Sequence, residues 1–577
     1  MAFRLGLLSA ALSIPVLYSG GPKFVAPVYG QFLSEQHHFE AALGSVVLGA
    51  ALGYAFTSVR ATAESKARPH TVISLLVSLL LTAAPGVMRT LFSHSREWGP
   101  EWGPLLTMAP VYAAIALLSA VAVLATPALN PFMEATAVSA ALISSLRRAD
   151  AIVDKIGEFT GGSSTCGFLR FLSFFWLSQT AVDALMAGMS TSPAVVATTD
   201  AKNDGKKPGK AAKAAKALAK TPQASAAKNR LFSMGALIVL STGTVFLGSL
   251  FPESRQCSAS VKLDNKYELL ALNESVTGYL YVIQDNSKHG GMRLMRCDHS
   301  LIGGGYPEYD FDSVFGSFYF LDFVQYITSG RASATTTRKA LQIGLGVGAS
   351  TKTLLEHARV SLDLVELDPL VVEYAKTYFA LPEPATTHIG DGRAFIDDAP
   401  DNTYDFVIHD VFTGGVVPGK LFTVEAIRGV KRVLKPKGVL ALNFVGTLES
   451  IATKSVVSTL KDVFPYLEIY TEDKLENLAE SPLYNMVFYA STHPITFTIP
   501  ETATLPHTSH MYRHFVDRFP ASRATDSPVF EEMVGNLDER LIITDKHNPL
   551  ATLQIESAEK HWGVMRKLFD DEFWTGF

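Results

Sequence analysis

Cysteine is nearly missing from this chain: Cys166, Cys257 and Cys297 are the only three in 577 residues. They are too few and too scattered for a disulfide scaffold or a thiolate zinc centre, and at most one disulfide can form. Charge is sparse as well, at 18 % of residues, and the net charge of −5 creates no overall basic field. Nucleic acid is therefore not expected as a partner. Apolar side chains are abundant, at 48 %, with a mean hydropathy of +0.19. The chain is too apolar for a wholly soluble enzyme and too charged for a bare membrane bundle. Its length, roughly three to five times that of an ordinary domain, excludes a single folding unit.

The apolar residues concentrate before residue 252. Ala2–Tyr18, Ala41–Val59, Val72–Met88, Leu105–Thr126 and Leu231–Phe251 read as spans able to cross about 30 Å of hydrocarbon. Ala128–Leu146 carries Glu134 and ends at Arg147 and Arg148, so it either spans or lies in the interface. Phe168–Met189 is interrupted by Arg170, Gln179 and Asp183, which are expected to bond between helices or reach the headgroups. Between the last two spans, residues 200–230 hold nine basic residues against two acidic ones, a net +7. This loop reads as disordered and drawn to anionic lipid.

The expected division is a multi-pass transmembrane region over 1–199, the Lys-rich loop over 200–230, a last transmembrane helix over 231–251, a small β-domain over 252–337, a Rossmann-like domain over 338–495 and a helical extension over 496–577. The lipid bilayer is thus one expected partner. The charge pattern leaves the side of the soluble part open. A cytosolic Lys-rich loop puts it outside after one more crossing, whereas an interfacial Ala128–Leu146 returns it to the cytosol. In an oxidising lumen Cys257 and Cys297 could pair, and Asn273 with Ser275 would form a glycosylation acceptor.

The strongest chemical signal begins at Lys339. Lys339–Ile343 reads as a buried strand, Gly344, Gly346 and Gly348 as a tight turn, and Thr351–Ala358 as a helix. Glycines at alternate positions let backbone amides approach a ligand next to the positive end of that helix. A second strand, Ser361–Val365, ends at Glu366, where a carboxylate can accept both hydroxyls of a ribose. A third, Thr387–Ile389, ends at Gly390, Asp391 and Gly392, placing an acid where an adenine edge would lie. A fourth, Tyr404–His409, ends at Asp410 over the cleft floor. The rim thus carries the glycine loop, Glu366, Asp391 and Asp410 in order. Asp368, just before Pro369, reads as a helix N-cap, and Asp391 reads either as a cap or as a ligand contact. A helix over Lys420–Leu434, a turn at Pro436–Gly438 and a fifth strand over Val439–Phe444 follow. After the helix Ile451–Phe464, a hairpin of Leu467–Tyr470 with Tyr484–Ala490 suits a seven-stranded sheet whose last strand is inserted antiparallel.

On these motifs, together with Leu434–Val439, residues 260–495 resemble the spermidine-synthase family and the methyltransferase-like proteins built on the same scaffold. Ile543–Pro549 is similar to a segment near the end of some membrane-anchored relatives. The apolar spans lead one to expect an α-helical transmembrane bundle, and the resemblance implies that an α/β, Rossmann-like seven-stranded fold with a small preceding β-domain follows it. It also implies S-adenosylmethionine, or its decarboxylated form, held by Gly344, Gly346, Gly348, Glu366, Asp391 and Gly392, with Asp410 as the catalytic orienter or base.

Three departures bear on the reaction, one being that the family's polyamine-gripping acidic segment is replaced by Asp298–Gly304 and Tyr309–Asp312, which match it poorly. Aminopropyltransferases of this family carry an acid in the glycine loop, where this chain has Val347, and a second acid after the fourth strand, where it has Thr413. A di- or tri-cationic amine needs several carboxylates to replace its hydration. Methyl transfer to a small-molecule, lipid or protein acceptor is therefore expected ahead of aminopropyl transfer, and a non-catalytic nucleoside sensor is the alternative outside enzymes. His507, His510 and His514 read as surface residues, and no metal is expected.

Overall fold

A computed structural model describes residues 2–62, 69–124, 131–147, 149, 266–287, 291–328, 337–358, 360–412, 414–472, 483–505, 509–528, 530–531 and 538–576. The chain divides into two compact units. The first comprises Met1–Phe24, His37–Phe92 and Leu105–Ser258; the second comprises Val25–Gln36, Ser93–Pro104 and Ala259–Phe577.

The helices His38–Thr62, Pro69–Leu91, Ala109–Leu124 and Pro131–Leu146 build the first unit. Ala109–Leu124 is apolar on every face, and most of its side chains are buried. Among the described residues, two stretches are long and apolar enough to cross a bilayer: Gln31–Phe56, at mean hydropathy 1.5, and Val72–Leu124, at 2.0. The expected spans Phe168–Met189 and Leu231–Phe251 and the Lys-rich loop lie outside the described residues.

In the second unit, β1 (Tyr267–Ser275), β2 (Gly278–Asp285), β3 (Met292–Cys297), β4 (Ser300–Tyr306) and β5 (Asp312–Ser313) form an antiparallel meander in sequence order. β2 and β3 are inner strands of this sheet. Seven more strands form the main sheet: β6 (Arg338–Ile343), β7 (Val360–Glu366), β8 (Thr386–Ile389), β9 (Tyr404–His409), β10 (Leu434–Gly446), β11 (Tyr466–Thr471) and β12 (Tyr484–Ser491). Their order is β11-β12-β10-β9-β6-β7-β8. β6 to β10 are parallel to one another, while β12 runs antiparallel between β10 and β11. This is the inserted antiparallel strand that the hairpin pattern predicted, and the crossing point beside β6 is where such sheets bind ligands.

Two local readings need correction. Pro436–Gly438 does not end a helix and start a strand; β10 already begins at Leu434, and its register jumps from Leu434 opposite Tyr404 to Val439 opposite Phe406. The extra residues form a bulge with Lys437 at φ 69°. The helix expected over Lys420–Leu434 is instead a 3-10 turn, Gly419–Leu421, and a helix, Val424–Val433, whose N-cap Thr423 accepts from the Ala426 amide.

Candidate active site

The glycine turn after β6 is dictated by space. Gly344 has φ +85°, and a Cβ there would lie 1.9 Å from the Asp410 carbonyl oxygen. Gly346 has φ +56°, and its Cβ would lie 2.4 Å from the Ile302 carbonyl oxygen. Both positions combine a left-handed backbone with a close approach that only glycine allows. Gly348 is the N-cap of the helix Ala349–His357, so that helix begins where the turn ends.

Glu366 closes the end of β7 and faces this turn. One carboxylate oxygen accepts from the Leu345 amide at 2.9 Å and the other from the Asp368 amide at 2.9 Å. The side chain is buried, and loss of hydration pushes its pKa up to about 7 against the pull of those amides. Each oxygen keeps capacity for a further donor. Asp368 is the N-cap of the helix Pro369–Phe379, as expected, and accepts from the Leu370 amide at 2.9 Å. It also accepts from the hydroxyls of Ser275 and Thr277, both at 2.5 Å, which pins the β-meander to the main sheet. Asn273 is engaged there as well, donating to the Tyr374 hydroxyl at 2.6 Å.

Asp391 is both cap and cleft residue. It accepts from the amides of Arg393 and Ala394 at the start of the helix Gly392–Asp398, and its other oxygen pairs with Lys420. Partial burial works to raise its pKa, but the Lys420 ammonium and the two amides hold it below the ordinary carboxylate value.

Asp410 stands at the end of β9, its amide bonded to the Ile343 carbonyl at 2.9 Å. Asn443 on β10 donates to Asp410 Oδ1 at 2.8 Å. Burial pushes the carboxyl up to about 6, with Asn443 opposing. A cavity of about 390 Å³ brings together Gly344, Gly346, Glu366, Asp391, Gly392 and Asp410. Of the expected cofactor residues only Gly348 is outside its lining. Thr413 and His507 lie outside the described residues, as does Cys257, so its pairing with Cys297 is not described; the Cys297 thiol donates to the Thr277 carbonyl at 3.3 Å.

Sequence reasoning missed the cavity's other wall, where Thr277, Cys297, Ile302 and Phe318 contribute from the meander and the helix after it, and it missed Lys420. It also missed Asn443, although a polar residue inside the apolar run Val439–Phe444 was a usable signal. Among the described residues, no three His, Cys, Asp or Glu side chains gather as a metal site.

With this geometry in place, the comparison with known proteins is informative. Residues 327–472 match the spermine/spermidine synthase domain. The synthase domain therefore covers the glycine turn, Glu366, Asp391 and Asp410. The N-terminal histidine N-methyltransferase of Emericella nidulans is 34 % identical over 332 residues, covering 54 % of this chain and 59 % of its own. A polyamine aminopropyltransferase of Vibrio vulnificus is 31 % identical over 150 residues, covering 25 % and 50 %. This chain thus spans about half the length of the curated relatives it matches. The spermidine synthase of Thermotoga maritima aligns in structure with TM-score 0.36 and 19 % identity, over 46 % of this chain and 87 % of that one. The matched domain and the methyltransferase among the relatives support an adenosylmethionine-dependent transferase and accord with the preference for methyl over aminopropyl transfer.

Proposed function

We propose that this chain is a membrane-anchored, adenosylmethionine-dependent N-methyltransferase acting on the imidazole of a peptide's N-terminal histidine. The observation that carries the reaction class is the single cavity that gathers Gly344, Gly346, Glu366 and Asp391 with Asp410, a buried carboxylate at the end of β9 held by Asn443 at 2.8 Å. The acceptor is supported by the relationship to the Emericella nidulans enzyme. Multi-pass anchoring is supported by the apolar segments of the sequence, and Gln31–Phe56 and Val72–Leu124 have the required length.

The residues present fit the cofactor. The turn at Gly344 and Gly346 lines the cavity, packed so closely on the Asp410 and Ile302 carbonyls that only glycine fits, and Glu366 offers two carboxylate oxygens at its edge. Glu366 would take the ribose hydroxyls, and Asp391 with Gly392 the adenine edge. When bound, adenosylmethionine supplies a methyl carbon on a sulfonium, and that carbon–sulfur bond breaks, leaving its electron pair on sulfur, as the acceptor nitrogen's lone pair forms the new bond. Asp410 orients the ring by accepting its N–H, which leaves the other nitrogen's lone pair aimed into the cleft. After transfer the ring carries a surplus proton, and Asp410 removes it from the same nitrogen. Asn443 holds the carboxylate during both tasks.

The test is to incubate the purified full-length chain with adenosylmethionine and a peptide beginning with histidine, and to read the product by fragmentation mass spectrometry. One added methyl group on the first residue is expected. Asp410→Asn should lower kcat by about 10²–10⁴-fold with unchanged affinity for adenosylhomocysteine. Spermidine formation from putrescine and decarboxylated adenosylmethionine, with no peptide methylation, would overturn the reading.

A further inference from the structure

A second cavity, of about 220 Å³, adjoins the first and shares Thr277, Cys297 and Val416 with it. Its remaining wall includes Gln31 and Glu35, from the short helix Gln31–Glu35, and Asp298 and His299, from the turn between β3 and β4. None of these four belongs to the matched synthase domain, residues 327–472.

The two carboxylates in this wall, Glu35 and Asp298, are acceptors. Asp298 is held at φ 47° in a turn, with Oδ1 accepting from the Tyr279 amide at 3.0 Å. Its Oδ2 lies over Gly278, where a Cβ would come within 2.3 Å of it. Burial pushes this carboxyl up to about 7, the Tyr279 amide and Arg296 pull it down, and Glu274 and Glu35 push it up again. Arg296 is already engaged, donating to the Phe573 carbonyl at 2.8 Å, with its guanidinium over the Tyr281 ring. Glu35 is exposed and accepts from Gln31 at 3.0 Å. His299 is buried, with its ring 4.1 Å from that of Trp574, and its Nε2 has no hydrogen-bond partner among the described residues. Burial, then Arg566, Arg296 and His561, hold its pKa well below the usual value, so the ring is neutral and keeps a lone pair for a donor.

We propose that this second cavity binds the α-ammonium group of the peptide acceptor through Glu35 and Asp298, which places the peptide's first side chain in the cleft beside Asp410. An ammonium carries three N–H donors and one positive charge. Glu35, Asp298 and His299 supply three acceptors and the compensating negative charge, and the shared residues Thr277, Cys297 and Val416 mark the way to the cleft. Selection for a chain terminus follows, because an internal histidine presents a neutral amide where these carboxylates need a cation. The inference rests on the N-methyltransferase reading and adds to it the group by which the acceptor is recognised.

The experiment compares a histidine-initiated peptide with its N-acetylated form, using the full-length chain. Acetylation removes the ammonium and leaves the imidazole intact. The wild-type protein should methylate the free peptide with a kcat/KM about 100-fold above that of the acetylated one. Glu35→Gln should raise KM for the free peptide about tenfold, leaving the acetylated peptide's kinetics and the adenosylhomocysteine affinity unchanged. Asp298→Asn, which keeps an acceptor for the Tyr279 amide, should act in the same direction. Equal turnover of the two peptides, or an equal loss on both in Glu35→Gln, overturns the cavity assignment and leaves the methyltransferase reading standing. Methylation of neither peptide by a protein that binds adenosylhomocysteine overturns both.

Discussion

Glu366 gives the nucleoside assignment a pH signature. Its ordinary pKa is 4.5, and burial pushes it to about 7 in the folded chain. A folded-state pKa above the unfolded one means that this group's contribution to stability is full below about 4.5 and fades as pH rises through about 7. Ribose hydroxyls reverse the trend, because they donate to the ionised carboxylate. Two charge-assisted hydrogen bonds at about 1.5 kcal/mol each lower the bound-state pKa by about two units, to about 5. Affinity for adenosylhomocysteine should then weaken about fiftyfold between pH 8 and pH 5, with most of the change below pH 7. Isothermal titration of the full-length protein at five pH values measures this directly. Asp410, pushed up to about 6, titrates in the same window, so Glu366→Gln is the deciding control. That variant should bind weakly at every pH and lose most of the slope. A flat wild-type profile, or a slope that survives in Glu366→Gln, would refute the assignment of Glu366 to the ribose.

Gly346→Ala places a Cβ 2.4 Å from the Ile302 carbonyl at a left-handed φ, so it should lower the Tm of the second unit by about 5 °C and raise the Kd for adenosylhomocysteine more than tenfold. A lowered Tm with unchanged Kd would show that the turn does not line the binding site. Asp368→Ala removes an N-cap and two hydroxyl contacts at once and should cost about 3 kcal/mol in urea unfolding. Asp368→Asn, which keeps a cap, should cost about half as much.

The main sheet was legible because its parallel strands are short apolar runs ending in glycine or acid, and because the rim acids sit one after another at strand ends. The meander was only half legible. β4 contains Gly303, Gly304 and Gly305, a run that reads as loop, yet it pairs with β3 through all three. Packing explains the glycines: a Cβ at Gly304 would meet the Arg293 carbonyl at 2.8 Å, and one at Gly305 the Phe311 carbonyl at 2.8 Å. The β10 bulge was read as a turn before the strand because Pro436 and Gly438 are turn residues by propensity; the pairing of Leu434 with Tyr404 ahead of them shows that the strand has already begun. Glu35 was not legible at all. It borders an apolar segment, and only the folded chain places it near Asp298, more than 250 positions away in sequence.

The distribution of acids separates two halves of the chemistry. Glu366, Asp391 and Asp410 lie within the matched domain, at strand ends around one cavity, where the proposed reading puts the nucleoside and the reacting atom. The positions where the resemblance leads one to expect acids gripping a polyamine hold Val347 and Thr413, which supply no charge toward a di-cation. Glu35 and Asp298 lie outside the matched domain, at a second cavity to which we assign the terminal cation of the acceptor. On that proposal, acceptor choice would be set by where the carboxylates stand relative to the nucleoside site. Carboxylates in the flanking segments rather than in the glycine loop would favour the end of a peptide over a diamine.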